Sequence, residues 1–201
     1  MNTRRPISTI SYNSEVHLRK VLDYLLRHKI IEYWCYICHK GEFNETVGEY
    51  EKDHIHLFVI PNRTINTVDL GEYFIEEDDR IGAPPRKCIR WCTSVEDDWI
   101  LYSMHDELYL ASKFEVKQYH YTVGVFVTSD KEQFMRSYRH AFESSGYARA
   151  RNIYSYFNAG GRLLDLMESG LVTPQTASHW QSYHELFKEM KKIEGTSKKK
   201  C

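Results

Sequence analysis

The stretch Asp53-His54-Ile55-His56-Leu57-Phe58-Val59-Ile60-Pro61 constrains this chain more than any other. Two histidines flank one bulky apolar residue and open an apolar run, the pattern of a β-strand. The period of two then sends both imidazoles to one face and Ile55 to the other. Each imidazole can give one ring nitrogen to a divalent ion while its second N–H is held by a neighbour. The pair alone reads equally well as two half-buried or surface histidines. Two ligands are also too few for a metal, so a carboxylate must come from elsewhere.

The neighbouring segments predict the layers around that strand. Ile7 to Tyr12 reads as a first strand, and Asn13-Ser14 as an N-cap. Val16, Leu18, Val21, Leu22, Leu25 and Leu26 then recur at helical spacing up to the basic last turn Arg27-His28-Lys29. Ile30 to Cys38, rich in β-branched and aromatic residues, reads as a second strand. A polar loop from His39 to Lys52 returns the chain to His54, so the two strands are expected to pair antiparallel. Val68 to Phe74 reads as a short helix, and Glu76 to Pro85 as an acidic, solvated connector. Cys88 to Thr93 reads as a strand. Ser94 is the expected N-cap of one helix from Val95 to Lys113, with Trp99, Tyr102, His105, Asp106 and Tyr109 on a shared face. Tyr119 to Thr128 reads as a last strand. Helical patterns follow at Lys131–Ser144, Tyr147–Phe157, Arg162–Glu168 and Thr173–Ile193. The expected class is α+β, a central antiparallel sheet with flanking helices over 1–128. A helical region is expected over 129–194, with oligomerisation or DNA binding as its candidate roles, and 195–201 is expected to be a disordered tail.

Composition narrows the function classes. At 201 residues the chain can bury a full core without staples. It has no apolar run of membrane-span length and its N-terminus lacks a signal-peptide core, so a cytoplasmic location and no membrane partner are expected. The five cysteines have no framework spacing. Cys35 and Cys38 fall on opposite faces of a strand, which disfavours structural zinc. The net charge of −1 argues against coating nucleic acid by bulk electrostatics. Residues 1–120 carry 15 Lys and Arg against 20 Asp and Glu, and 121–201 carry 12 against 8. An acidic first part suits a cation site, and a mildly basic second part suits a nucleic-acid or partner surface.

Glu42 lies at the end of the strand expected to neighbour His54 and His56. Glu, His and His form a mixed set that suits Mn²⁺ or Mg²⁺ with open positions. Glu45, Glu49, Glu51 and Asp53 are alternative third ligands. Tyr102 stands out among fifteen tyrosines only for its company, Tyr102-Ser103-Met104-His105.

The segments His39-x-x-Glu42, His54-Ile55-His56-Leu57-Phe58-Val59, and Tyr102-x-x-His105 followed by Lys113, Lys117 and Tyr119 resemble the motifs of plasmid-type rolling-circle replication initiators (Rep proteins) of the HUH endonuclease superfamily. The order and spacing match over roughly 7–128. The resemblance implies that Glu42, His54 and His56 bind the metal and that Tyr102 is the nucleophile. It implies a 5′-phosphotyrosine intermediate and a 3′-OH primer, with the metal's field or His105 favouring the phenolate and Lys113, Lys117 and Tyr119 holding single-stranded or hairpin origin DNA. Where that family usually has Asp, this chain has Glu42. Asp106 follows Tyr102 by one turn, which implies a single-tyrosine mechanism. With no P-loop signature, a host helicase is an expected partner beside a DNA polymerase, and the chain is expected to oligomerise. The rivals are a mobilisation relaxase, whose nucleophile precedes the histidines, and a phosphoesterase with a second His pair, which is not found. A third is a non-catalytic DNA-binding or oligomerising protein.

Overall fold

In the computed structural model of the protein, residues 1–44, 47–113, 115, 117–178, 180, 181 and 185 are described. Glu45, most of the helix expected up to Ile193 and the tail 195–201 lie outside them. The strands are β1 (Asn2–Thr3), β2 (Ile7–Ser11), β3 (Ile31–His39), β4 (Phe43–Asn44), β5 (Glu49–Tyr50), β6 (His54–Pro61), β7 (Ile65–Asn66), β8 (Cys92–Thr93) and β9 (Val127–Thr128). The helices are α1 (Glu15–Arg27), α2 (Thr67–Glu72), α3 (Glu96–Ser103), α4 (Glu107–Ser112), α5 (Lys131–Glu143), α6 (Ser145–Asn158) and α7 (Leu163–Glu168). The class is α+β, as the sequence predicts.

Contacts divide the chain into two compact units. The first holds Met1–Met104 and Tyr119–Ala141, and the second holds His105–Gln118 with the chain from Phe142 onward. The first unit is built on an antiparallel sheet in the order β8-β2-β6-β3-β9. Strand β6 is central, paired with β2 through Ile10↔His56 and with β3 through Ile37↔His56 and His39↔His54. Its alternation sorts the two layers. Leu57 and Val59 join Ile7, Trp34 and Tyr36 under Leu18, Leu22 and Leu25 of α1, all buried. The opposite face carries Phe58, which starts an aromatic chain through Trp99 (ring centroids 5.4 Å), Phe126 (5.8 Å from Trp99) and Phe134 (4.9 Å from Phe126). Helices α3 and α5 thereby cover the face that also bears the histidines. Strand β3 contains a bulge between Ile31 and Tyr33: Ile31 pairs with Pro61 and Tyr33 with Ile60, leaving Glu32 extra.

The start of α1 is fixed as expected. The Ser14 hydroxyl accepts from the His17 N–H at 3.3 Å, and Glu76 accepts from the Ser14 N–H at 2.7 Å and from the Ser14 hydroxyl. Burial pushes the Glu76 carboxyl up, but the Ser14 hydrogen bonds, with help from His17 and Asn13, outweigh it and hold the carboxyl below its usual range. A group with a depressed folded pKa stabilises the fold above its unfolded value, about 4.3, and loses that contribution as pH falls through the folded value. Glu76→Ala is therefore expected to cost about 1 kcal/mol at neutral pH. Urea titrations over a pH series should show the gap to wild type closing in acid.

Several elements differ from expectation, each for a local reason. The helix expected over 95–113 is two helices: Met104 caps α3, and His105 takes a left-handed φ of 53° that breaks the helical hydrogen-bond run. The face expected to join Tyr102 with His105 and Tyr109 is therefore not one helix face. Ser94 does not cap α3. Its Oγ bonds the Ser8 hydroxyl at 3.0 Å, and Val95 stands at the N-cap without a side-chain bond. In the segment expected as the strand Cys88–Thr93, only Cys92 and Thr93 form a ladder, with Ser8 and Ile7. In Tyr119–Thr128 only Val127 and Thr128 pair, with Tyr36 and Cys35, after a 3₁₀ turn at Val123–Val125. Cys35 and Cys38 do fall on opposite faces: Cys35 sits opposite Phe58, and Cys38 packs on the α1 side.

The second unit packs Ile153 and Phe157 of α6 against Leu166 of α7, Val172 and Ala177, with residues 174–178 helical. Among the described residues no helix is long and apolar enough to cross a membrane.

Candidate metal centre

His54 and His56 point to the same side of β6, as their spacing requires, and their Nε2 atoms lie 3.2 Å apart. The Nδ1 of His54 lies 2.9 Å from the Lys52 carbonyl oxygen. A carbonyl only accepts, so Nδ1 carries the hydrogen and Nε2 keeps its lone pair, turned toward His56. Two nitrogens bound to one ion at about 2.1 Å are roughly 3.0–3.4 Å apart over the common coordination angles. The observed separation fits joint ligation, and it equally fits an N–H···N bond between the rings.

His39 completes the group. It ends β3 directly opposite His54, and ligand-capable nitrogens of His39, His54 and His56 all lie within 4.8 Å of one another. The His39 ring is 4.4 Å from that of His56 and 5.1 Å from that of His54. Its Nε2 donates to the Ser103 carbonyl at 2.8 Å, so Nδ1 is the ring atom left with a lone pair. That bond also ties the end of α3 to the sheet beside the preceding residue, Tyr102. The Tyr102 ring stands edge-on to His56 at 5.9 Å.

Glu42, 4 % exposed, lies beside this cluster with Oε1 3.5 Å from His39 Nδ1. The same oxygen accepts from the Tyr121 hydroxyl at 2.5 Å, and the Tyr121 ring stacks on His39 at 4.3 Å and 6°. Burial, and then the Glu42 carboxylate, push the Tyr121 phenol well above its usual range, so it remains a donor at any ordinary pH. Tyr121 thereby holds both a carboxylate and an imidazole of the group in place. Outer-shell partners of this kind typically set metal affinity by about 10- to 100-fold. Tyr121→Phe, which keeps the stack and loses the hydroxyl, is expected to weaken Mn²⁺ binding by about tenfold in calorimetric titration.

Two of the alternative acids, Glu51 and Asp53, hold partners of their own. Glu51 accepts from the Asn44 amide at 3.2 Å, Asp53 accepts from the Gly41 N–H at 3.0 Å, and Glu49 is exposed in β5. Tyr119, expected to hold DNA, accepts from the Phe43 N–H at 3.0 Å. His105, Lys113 and Lys117 belong to the second unit, where the Lys113 ammonium lies 5.3 Å over the Tyr109 ring. The first unit thus brings together His54, His56, Glu42 and Tyr102. It adds His39, to which sequence reasoning gave no role, and Tyr121, which sequence reasoning offered as a base-stacking ring and which here holds Glu42 and His39. The available signal for His39 was its phase: it alternates with Cys35 and Ile37 at the end of the strand that pairs with β6. The chain matches no protein-family model and no curated protein.

Proposed function

We propose that this chain is a rolling-circle replication initiator of the HUH type, a metal-dependent endonuclease and strand transferase acting on single-stranded or hairpin DNA. The observation that carries the proposal is the convergence of the His54 and His56 Nε2 atoms, 3.2 Å apart, with the Tyr102 ring against His56. His54, His56 and His39, with Glu42 beside them, would hold a divalent ion, Mn²⁺ or Mg²⁺. When bound, such an ion withdraws charge from a nonbridging oxygen of the scissile phosphate. Tyr102 attacks phosphorus: its hydroxyl releases a proton as the O–P bond forms, the bond to the 3′ oxygen breaks, and that oxygen takes up a proton to become a 3′-OH. The phosphate stays bonded to Tyr102, which conserves the bond for later strand closure. The 3′-OH primes a host polymerase, a separate host helicase unwinds the duplex, and the helical second unit serves oligomerisation or DNA binding.

A relaxase would carry its nucleophile before the histidines, and one observation favours keeping that variant in view. The Tyr12 ring lies 6.5 Å from His54, on the other flank of the pair. The test is to incubate the protein with Mn²⁺ and hairpin DNAs of varied loop sequence, then resolve covalent adducts under denaturing conditions and map the modified peptide. The expected result is an adduct on Tyr102 that vanishes in EDTA. An adduct on Tyr12 would support the relaxase order. No adduct and no tight Mn²⁺ binding would leave a DNA-binding or oligomerising protein whose histidines are structural.

A further inference from the structure

Building on the initiator reading, we propose that the cleft beside His54 is a subsite for the base of a nucleotide flanking the scissile phosphate, with Tyr12 as its stacking platform. The cleft has a volume of about 380 Å³ and is open to solvent between the end of β2, the start of α1 and the first residues of β6. Pockets for small organic ligands begin at about 300 Å³, so one nucleotide fits and a duplex does not.

The sheet register explains why Tyr12 is there. β2 and β6 pair up to Ser11↔Ile55, and the next step of that ladder sets Tyr12 alongside His54, whose other neighbour is His39. Tyr12, just past the end of β2, His54 of β6 and His39 of β3 therefore form a row across three adjacent strand ends, with the candidate metal ligands at one end and a phenol ring at the other. A phosphate held at the His54 and His56 end places the adjoining nucleoside within reach of the Tyr12 end.

The charges of the cleft suit a nucleotide. The Lys52 ammonium sits 4.2 Å over the Tyr12 ring, and Lys40, Arg80 and Arg86 also line the space. The carboxylates in the walls are already engaged, Asp53 by the Gly41 N–H at 3.0 Å. Glu15 accepts from the Tyr36 hydroxyl at 3.0 Å and pairs with Lys40 at 3.8 Å, while Asp78 is held by Arg80 at 2.8 Å and Arg86 at 3.3 Å. An aromatic face with a movable cation above it is the pairing that single-stranded nucleic-acid sites use, the ring stacking the base and the cation meeting the backbone. Lys52 yields the ring face to the base and turns its ammonium to the flanking phosphate.

The test uses the full chain carrying Tyr102→Phe, so that bound DNA is not cut, with Mn²⁺ and a fluorescein-labelled oligothymidylate read by anisotropy. Adding Tyr12→Ala is expected to weaken binding by about 5- to 100-fold, and Lys52→Met by about threefold. Adding Tyr12→Phe should leave affinity within about twofold, since a phenyl ring stacks as a phenol does. In the otherwise wild-type chain, Tyr12→Phe should still form the covalent adduct. Photocrosslinking with iodouracil in the oligonucleotide should attach the base to the Tyr12 peptide. Unchanged affinity in Tyr12→Ala, or a crosslink elsewhere, would overturn the subsite even if the wild-type chain nicks DNA normally. Loss of the adduct in Tyr12→Phe would overturn the stacking role and make Tyr12 the nucleophile. A wild-type chain that neither nicks nor binds single strands would remove the initiator reading itself.

Discussion

Tyr102→Phe is expected to lower covalent adduct formation by about 10⁴-fold or more, the scale seen when the attacking group of an enzyme is removed. DNA affinity should stay within about twofold, because stacking and charge contacts to DNA do not depend on this hydroxyl. The substitution keeps the ring that stands edge-on to His56, so that ring contact at the end of α3 is preserved. A denaturing gel quantifies the adduct and anisotropy the binding. Nicking that survives in Tyr102→Phe would transfer the chemistry to water or to another tyrosine.

His56→Ala has the second large effect. His56 is 6 % exposed, between Ile10 of β2 and Ile37 of β3, and its Nε2 has a metal-competent nitrogen of His54 3.2 Å away. On the proposed function the substitution removes a ligand outright and should weaken Mn²⁺ binding by at least about 100-fold, beyond what loss of an outer-shell partner costs, and abolish adduct formation in parallel. Calorimetric titration with Mn²⁺ measures it, and His54→Ala should behave alike. If the two rings only share a hydrogen bond, His56→Ala would cost about 1 kcal/mol of stability and leave ion binding unchanged.

The parts of this protein legible in its sequence are those with a short period. Alternation placed His54 and His56 on one face of β6, and helical spacing with Ser14 ahead of it marked α1. The antiparallel β3–β6 pair followed from the polar loop that joins them. What stayed hidden depends on partners far along the chain. Ser94 suits a helix cap by its chemistry, but Ser8, 86 residues away, takes its hydroxyl. Nothing between Val95 and Lys113 is a glycine or proline, so the break at His105 has no compositional mark; it shows only as a backbone angle. Tyr121 is one of fifteen tyrosines, and what distinguishes it is a carboxylate 79 residues distant. His39 acquires its place only through the register that sets it across from His54.

The extra residue in β3 bears on how this chain can vary. In a regular strand Ile31 and Trp34, three apart, would face opposite ways, yet both belong to the core under α1. Glu32, exposed at the bulge, absorbs the mismatch and lets Ile31 lie under α1 while His39 faces His54. Substitutions at Glu32 should be nearly silent. Deleting it would leave Ile31 two residues from Trp34, so a regular strand would seat both under α1 and still turn His39 to His54. The position therefore tolerates both drift in residue type and loss, whereas adding or removing one residue between Trp34 and His39, where the ladder is regular, would turn the histidine away from His54.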